Sequence, residues 1–292
     1  MNRAVSGLII ICLLFLGGCG FHKNQASQSE TAVNTTNSRE KILRSYLMDK
    51  DFYERAFGTA ENNEKIKNVK AGIFPHHLLA SYLSADFFSS LANSPSVVVL
   101  LTPNHFNRGP ANLLSTKTSW DTPYGLLNPE AELLSELEKN KILGFDDSTL
   151  SLEHAVSGTV PFIKRTFPQT KILPIIIKNR IYESALDRVV AELSRILPED
   201  SLILASVDFS HDVTSKVAEK QNKESWEAIK NFDYPKIKLI KSDSWPSLYL
   251  ILKMAELNKA QTVQLLADSN SGKVANKYDL PVTSYLTVYF KK

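Results

Sequence analysis

Cysteine is almost missing from this sequence: Cys12 and Cys19 are the only two in 292 residues. The chain beyond them can form no disulfide and no thiolate zinc site, and it carries no cysteine nucleophile. Any metal must therefore be held by His, carboxylate or other oxygen ligands. A charge bias is missing too. Lys and Arg number 34 against 31 Asp and Glu, a formal +3, with no basic block and no basic stripe interleaved with aromatics. That excludes the electrostatic footprint of a nucleic-acid partner. The N-terminal apolar run, Leu8 to Leu16, is too short to span a bilayer comfortably, and there is no internal repeat. What remains is ordinary globular composition, 43% hydrophobic and 22% charged, with enough chain for a sizeable core.

The N-terminus reads as a targeting segment. Arg3 precedes the apolar run, which ends in Leu16-Gly17-Gly18-Cys19, a pattern that resembles a bacterial lipoprotein signal. Residues 1–18 are expected to be removed and Cys19 to carry lipid, which makes the protein an extracytoplasmic, membrane-anchored lipoprotein. Residues 19–38 are rich in Gln, Ser, Thr and Asn without periodicity and read as a disordered tether. The folded domain is expected over 39–292.

From Arg39 onward strand and helix patterns alternate. A helix is expected over Arg39 to Phe57, capped by Ser38. A strand at Val69 to Phe74, a helix over Leu78 to Leu91 and a strand at Val97 to Leu101 follow. Ala111 to Thr116 reads as a strand, and Trp120 to Gly125 as a polar loop with a turn. Helix is expected over Pro129 to Asn140 and from Leu152 to about Phe167. The second half continues with strands at Lys171 to Ile177 and Ser201 to Val207. Helices are expected over Ser184 to Ile196, Thr214 to Phe232 and Pro246 to Leu257, and closing strands at Val263 to Ala267 and Val282 to Phe290. Such alternation argues for a single α/β domain with a largely parallel central sheet flanked by helices.

Three of the apolar runs end in histidine. Val97-Val98-Val99-Leu100-Leu101 leads to Asn104-His105, Val69 to Phe74 leads to Pro75-His76-His77, and Leu202 to Val207 leads to Asp208-Phe209-Ser210-His211. Ligands of open α/β sheets bind outside the carboxyl ends of the strands, so these histidines are candidates for one shared site. His154 adds a fifth imidazole just before a helix, and imidazole is the commonest metal ligand.

Taken in order, five motifs resemble the Memo-like family (AmmeMemoRadiSam system protein B), which is similar in fold to LigB-type class III extradiol dioxygenases. They are Pro75-His76-His77, Thr102-Pro103-Asn104-His105, Thr122-Pro123-Tyr124-Gly125, Glu153-His154 with Pro161 downstream, and Ser206-Val207-Asp208-Phe209-Ser210-His211. The resemblance spans Val69 to Phe290. It implies a metal site containing His76 and His105 and a divalent ion, Fe(II) or Cu. The family's third metal-site residue is a Cys, and its place falls on Ser242, followed by Asp243. Serine is a poor neutral ligand, so Asp243 or Asp208 is expected to supply the oxygen instead. A second departure is Ser157, where a Glu is common in the family.

The resemblance further implies that His154 or His211 moves a proton and that Asp208 orients a histidine ring. Asn104, Tyr124 and His77 are candidate substrate contacts, with turn formation and packing as the competing readings of Asn104 and Tyr124. Two functions fit. One is a metal-dependent redox or dioxygenase-like enzyme. The other is a non-catalytic module holding a metal, a small molecule or a peptide in the same cleft.

Overall fold

Apolar residues that run consecutively, rather than alternating, need both faces of their strand covered. The computed structural model, which describes residues 41–60, 64–277 and 280–292, gives them that environment. The signal segment, the tether, Ser38 and Cys19 lie outside the described residues. In chain order the strands are β1 Leu43–Arg44, β2 Val69–Phe74, β3 Val97–Pro103, β4 Leu113–Ser115, β5 Trp120–Thr122, β6 Gly125–Leu127, β7 Gly144–Phe145, β8 Lys171–Ile177, β9 Leu202–Ser206, β10 Thr262–Asn270 and β11 Ser284–Lys291. Eight of them form the main sheet in the order β10-β11-β2-β9-β3-β8-β4-β7. At its centre β2, β9, β3 and β8 are mutually parallel, so their carboxyl ends leave the sheet on one edge.

All seven residues of β3 are buried. Val97, Val99 and Leu101 face one apolar layer and Val98 and Leu100 the other, as the two-residue period of a strand requires. Helices Ala131–Lys139, Glu183–Ile196 and Trp245–Leu257 supply the first layer through Leu134, Leu186, Val189, Leu193, Leu248 and Ile251. Helices Lys50–Gly58, Ser81–Ser90 and Val160–Thr166 supply the second through Tyr53, Phe57, Phe87, Phe88 and Phe162. Each such fully buried side chain contributes about 1.5–3 kcal/mol. The parallel heart and the covering helices are the α/β architecture expected from the sequence.

The margins differ from expectation. No single helix covers Arg39 to Phe57: Leu43–Arg44 pairs with Trp120 and Asp121 of β5, and the helix begins only at Lys50, where the Asp49 carboxylate accepts from the Asp51 and Phe52 amides. The segment read as a polar loop is a hairpin, β5 pairing with β6, its turn closed by Gly125 at φ 96. The helix expected from Leu152 to Phe167 is broken into His154–Ser157 and Val160–Thr166. The closing strands run antiparallel, β11 against β2 and β10 against β11 at the edge of the sheet. Among the described residues no helix is long and apolar enough to cross a membrane.

Candidate metal centre

Three adjacent strands of the sheet, β2, β9 and β3, deliver His76, Asp208 and His105 to one point just past their carboxyl ends. Pro75 and Pro103 end or follow the first and last of these runs, and a proline lacks the amide that would continue the ladder. Asp243 reaches the same point from the loop before helix Trp245–Leu257. That loop is locked to β9's exit by a reciprocal pair: the Asp243 amide donates to the Asp208 carbonyl at 3.0 Å, and the Asp208 amide donates to Asp243 Oδ2 at 3.1 Å. His154 opens its short helix directly after Glu153.

The resulting geometry is close. His76 Nε2 lies 3.2 Å from Asp243 Oδ2 and 3.5 Å from Asp208 Oδ2, and His105 Nε2 lies 3.7 Å from Asp243 Oδ2. The rings of His105 and His154 stack with centroids 4.3 Å apart, and that of His76 stands edge-on to both at 5.1 and 5.4 Å. Ring nitrogens of His76, His105 and His154 fall within 4.8 Å of one another, and so do donor atoms of His76, Asp208 and Asp243. These groups could hold a metal ion.

His105 is fixed by Glu153, which the sequence marks as part of the Glu153-His154 motif without giving it a role. Glu153, 1% exposed, accepts from His105 Nδ1 at 2.7 Å, from the His105 amide at 2.9 Å and from the Ala155 amide at 3.0 Å. With Nδ1–H held by Glu153, Nε2 is the nitrogen that faces Asp243 and the one that a metal would engage on displacing its proton. The Glu-His pair was the available signal, but a glutamate before a helix also reads as an ordinary cap, which Glu153 is as well.

Charge is concentrated here. Burial pulls the His76 imidazole down, yet the carboxylates of Asp208 and Asp243 outweigh it and the net shift is upward. His105 follows the same pattern, burial opposed by hydrogen bonds to Asp243 and Glu153, and rises to about 10. Asp243 is pushed up by burial and pulled down further by the two imidazoles, to about 2. Burial raises Asp208. His154 is driven down to about 4 by burial and by its histidine neighbours, so it is neutral at pH 7.

The residues suit a divalent ion. His76 Nδ1 and Asp243 Oδ1 are buried without a hydrogen-bond partner, although buried polar atoms are normally paired. Among the described residues no Lys or Arg lines the cleft or pairs with Asp208, Asp243 or Glu153, so the charges that face these carboxylates are imidazole protons, which a metal ion can replace. The donor set of imidazole and carboxylate, without thiolate, matches what the sequence allows.

The remaining candidates separate. His77 and His211 line the cleft together with Tyr46, Leu79, Phe106 and Leu152, around a volume of about 710 Å³. His77 Nδ1 is 2.7 Å from the Tyr285 hydroxyl. His211 is exposed, so β9 gives the centre Asp208 rather than the expected histidine. Neither Asn104 nor Tyr124 lines the cleft. Asn104 instead ties its own loop, its amide group donating to the Arg108 carbonyl and accepting from the Arg108 amide. Tyr124 donates to Glu54 at 2.8 Å. Ser242 faces another cavity, lined by Phe209, His211, Val213, Gln221 and Lys241, and of the two neighbours it is Asp243 whose carboxylate faces His76 and His105.

A parallel α/β sheet with a histidine- and carboxylate-rich cleft at its strand ends defines a protein built around a candidate metal centre. The family model described as Memo-like protein matches residues 47–289, and the chain belongs to that family. A MEMO1 family protein of Nitrosopumilus maritimus is 29% identical over 212 residues, 69% of this chain and 73% of that one. One from Aquifex aeolicus is 32% identical over 167 residues, 56% of this chain and 61% of the relative, and one from Thermococcus kodakarensis is 29% identical over 169 residues, covering 54% and 58%. The crystal structure of an uncharacterized protein from Escherichia coli K12 superimposes with a TM-score of 0.49 at 14% identity, over 76% of this chain and 99% of that one.

Proposed function

We propose that the protein is a divalent-metal-dependent oxidoreductase of the Memo-like family, with His76, His105 and Asp243 as metal ligands. The observation that carries the reading is Asp243 Oδ2 lying 3.2 Å from His76 Nε2 and 3.7 Å from His105 Nε2. Two imidazoles and one carboxylate on one side of an open cleft are the donor set suited to ferrous iron in oxygenases; copper is the second candidate. When bound, the ion would polarise a substrate oxygen and supply redox chemistry.

The chain's own residues do the rest. Glu153 holds the His105 tautomer, and Asp208 accepts from the His76 amide at 3.3 Å and keeps that loop in place. His154, neutral at pH 7, takes a proton from the bound molecule. Tyr46, Leu79, Phe106 and Leu152 are exposed yet gathered on the lining of one cleft, a surface for the apolar body of a ligand.

Oxygen uptake by metal-loaded protein with a reductant and catechols tests the reading. Turnover that disappears in His76→Ala and His105→Ala supports it, and uptake unchanged in both variants refutes it. The apolar lining also favours a second reading, a non-catalytic module for a small molecule or peptide. In that case metal raises thermal stability without turnover, because a ligand that binds only the native state stabilises it.

We also propose that Cys19 carries a lipid that anchors the domain to a membrane on the outside of the cytoplasm. The supporting pattern is Leu16-Gly17-Gly18-Cys19. Detergent-phase partition of the full chain, lost in Cys19→Ala, tests it; partition unaffected by the substitution contradicts it.

A further inference from the structure

Ser242 and Asp243 are neighbours that serve different spaces. Asp243 belongs to the metal centre, while Ser242 lines a separate cavity of about 290 Å³ with Phe209, His211, Val213, Gln221 and Lys241. His211 lines both spaces. The cavity is smaller than a typical whole-ligand pocket and of a size for one functional group with its attachment.

Its polar lining consists of donors. The Ser242 hydroxyl oxygen is buried and has no hydrogen-bond partner, which is unfavourable unless a ligand or water satisfies it. The acceptor end of Gln221 is already engaged, since its Oε1 accepts from the Ser210 hydroxyl at 2.6 Å, which leaves the amide N–H groups. Ser210 is itself held by the Ser284 hydroxyl, which accepts from its amide at 3.0 Å. Lys241 forms no ion pair among the described residues, and no Asp or Glu lines the cavity. The His211 imidazole adds a further N–H, and Phe209 and Val213 supply apolar walls that strengthen polar contacts made between them.

We propose that this cavity is a subsite for a small oxyanion, with Lys241 as counter-charge and Ser242, Gln221 and His211 as hydrogen-bond donors. A carboxylate or phosphate brings the negative charge and the acceptor oxygens that complement this lysine and these N–H and O–H groups, and no carboxylate of the protein lines the cavity to compete for them. Because His211 is the shared wall, the anion is the charged end of a molecule whose body occupies the cleft. The second clause rests on the proposed function; the first does not.

The test is titration of the chelator-treated protein with acetate, inorganic phosphate and benzoate, chloride holding ionic strength constant, followed by amide NMR. Saturable shifts at Lys241, Ser242 and the Gln221 side chain are expected. Loss of a charge-assisted hydrogen bond weakens them about tenfold or more in Lys241→Met and in Gln221→Leu. Either variant suffices if the other fails to fold, and the undisturbed remainder of the spectrum reports folding. Shifts that never saturate, or saturate equally in both variants, overturn the subsite. Saturable shifts at His105 and His154 in place of those at Lys241 and Ser242 would make the metal centre the anion's site and refute the proposal. Benzoate that also shifts Phe106 and Leu152 identifies the anion as part of a larger ligand. If acetate binds and benzoate does not, the subsite takes a free anion and the link to the cleft is wrong.

Discussion

Replacing Glu153 with Gln changes one atom in a residue that is 1% exposed, and its effect on metal affinity should be large. The carboxylate accepts three N–H groups: the His105 ring at 2.7 Å, the His105 amide at 2.9 Å and the Ala155 amide at 3.0 Å. An amide has a single oxygen: placed where Oε1 accepts from the His105 ring and the Ala155 amide, it turns an NH₂ group against the His105 backbone amide, and in either orientation the negative charge facing Nδ1 is gone. The charge-assisted bond to His105 Nδ1 contributes about 1.5–3 kcal/mol. Losing it frees the imidazole tautomer and ring orientation, and partners of this kind typically affect metal affinity by about 10–100-fold. The assay is anaerobic titration of apoprotein with Fe(II) against a competing chelator, with circular dichroism to verify the fold. Glu153→Asp, which keeps the charge and shortens the reach, should fall between Gln and wild type. Unchanged affinity in Glu153→Gln would refute the view that this residue positions His105 for a metal.

Other outcomes follow from the packing and the charges. Gly72→Ala should destabilise the protein by about 1–3 kcal/mol, because a Cβ there meets the Phe87 ring at 2.4 Å; urea unfolding measures this, and an unchanged midpoint contradicts the packing. Glu54 is held at about 2 by the Arg165 guanidinium, with Tyr124 also donating to it. A carboxylate with a depressed folded-state value stabilises above its unfolded value and loses that contribution as pH falls toward about 2. Wild type and Glu54→Gln should therefore differ in urea midpoint at pH 6 and converge near pH 2; a constant difference would oppose the pairing.

Much of the centre of this fold is legible in the residues. The uninterrupted Val97-Val98-Val99-Leu100-Leu101 run could only be a strand buried on both faces, and β8 occupies the residues expected of it, Lys171–Ile177. Long-range pairing was the harder part. Leu43–Arg44 looks helical by spacing, and its partner in β5 lies far along the chain; the helix is capped by Asp49 rather than by Ser38 as expected. At the site, His76 and His105 could be read from strand ends alone. That an aspartate rather than Ser242 faces the imidazoles could be expected from ligand chemistry, but the choice between Asp243 and Asp208 could not, because it depends on how the loop carries each carboxylate. The bond between the Asp243 amide and the Asp208 carbonyl belongs to the loop conformation that makes that choice. His154 was expected as a proton carrier, and stacking against His105 at 4.3 Å makes it part of the centre itself.

The proposed centre depends on Asp243, and not Ser242, supplying the carboxylate. Elemental analysis of protein purified without chelator, for wild type, His105→Ala, Asp243→Ala and Ser242→Ala, tests this most directly. Stoichiometric iron or copper is expected in wild type and Ser242→Ala and little in the other two. Equally low metal in wild type and His105→Ala, or loss of metal in Ser242→Ala with retention in Asp243→Ala, would contradict it.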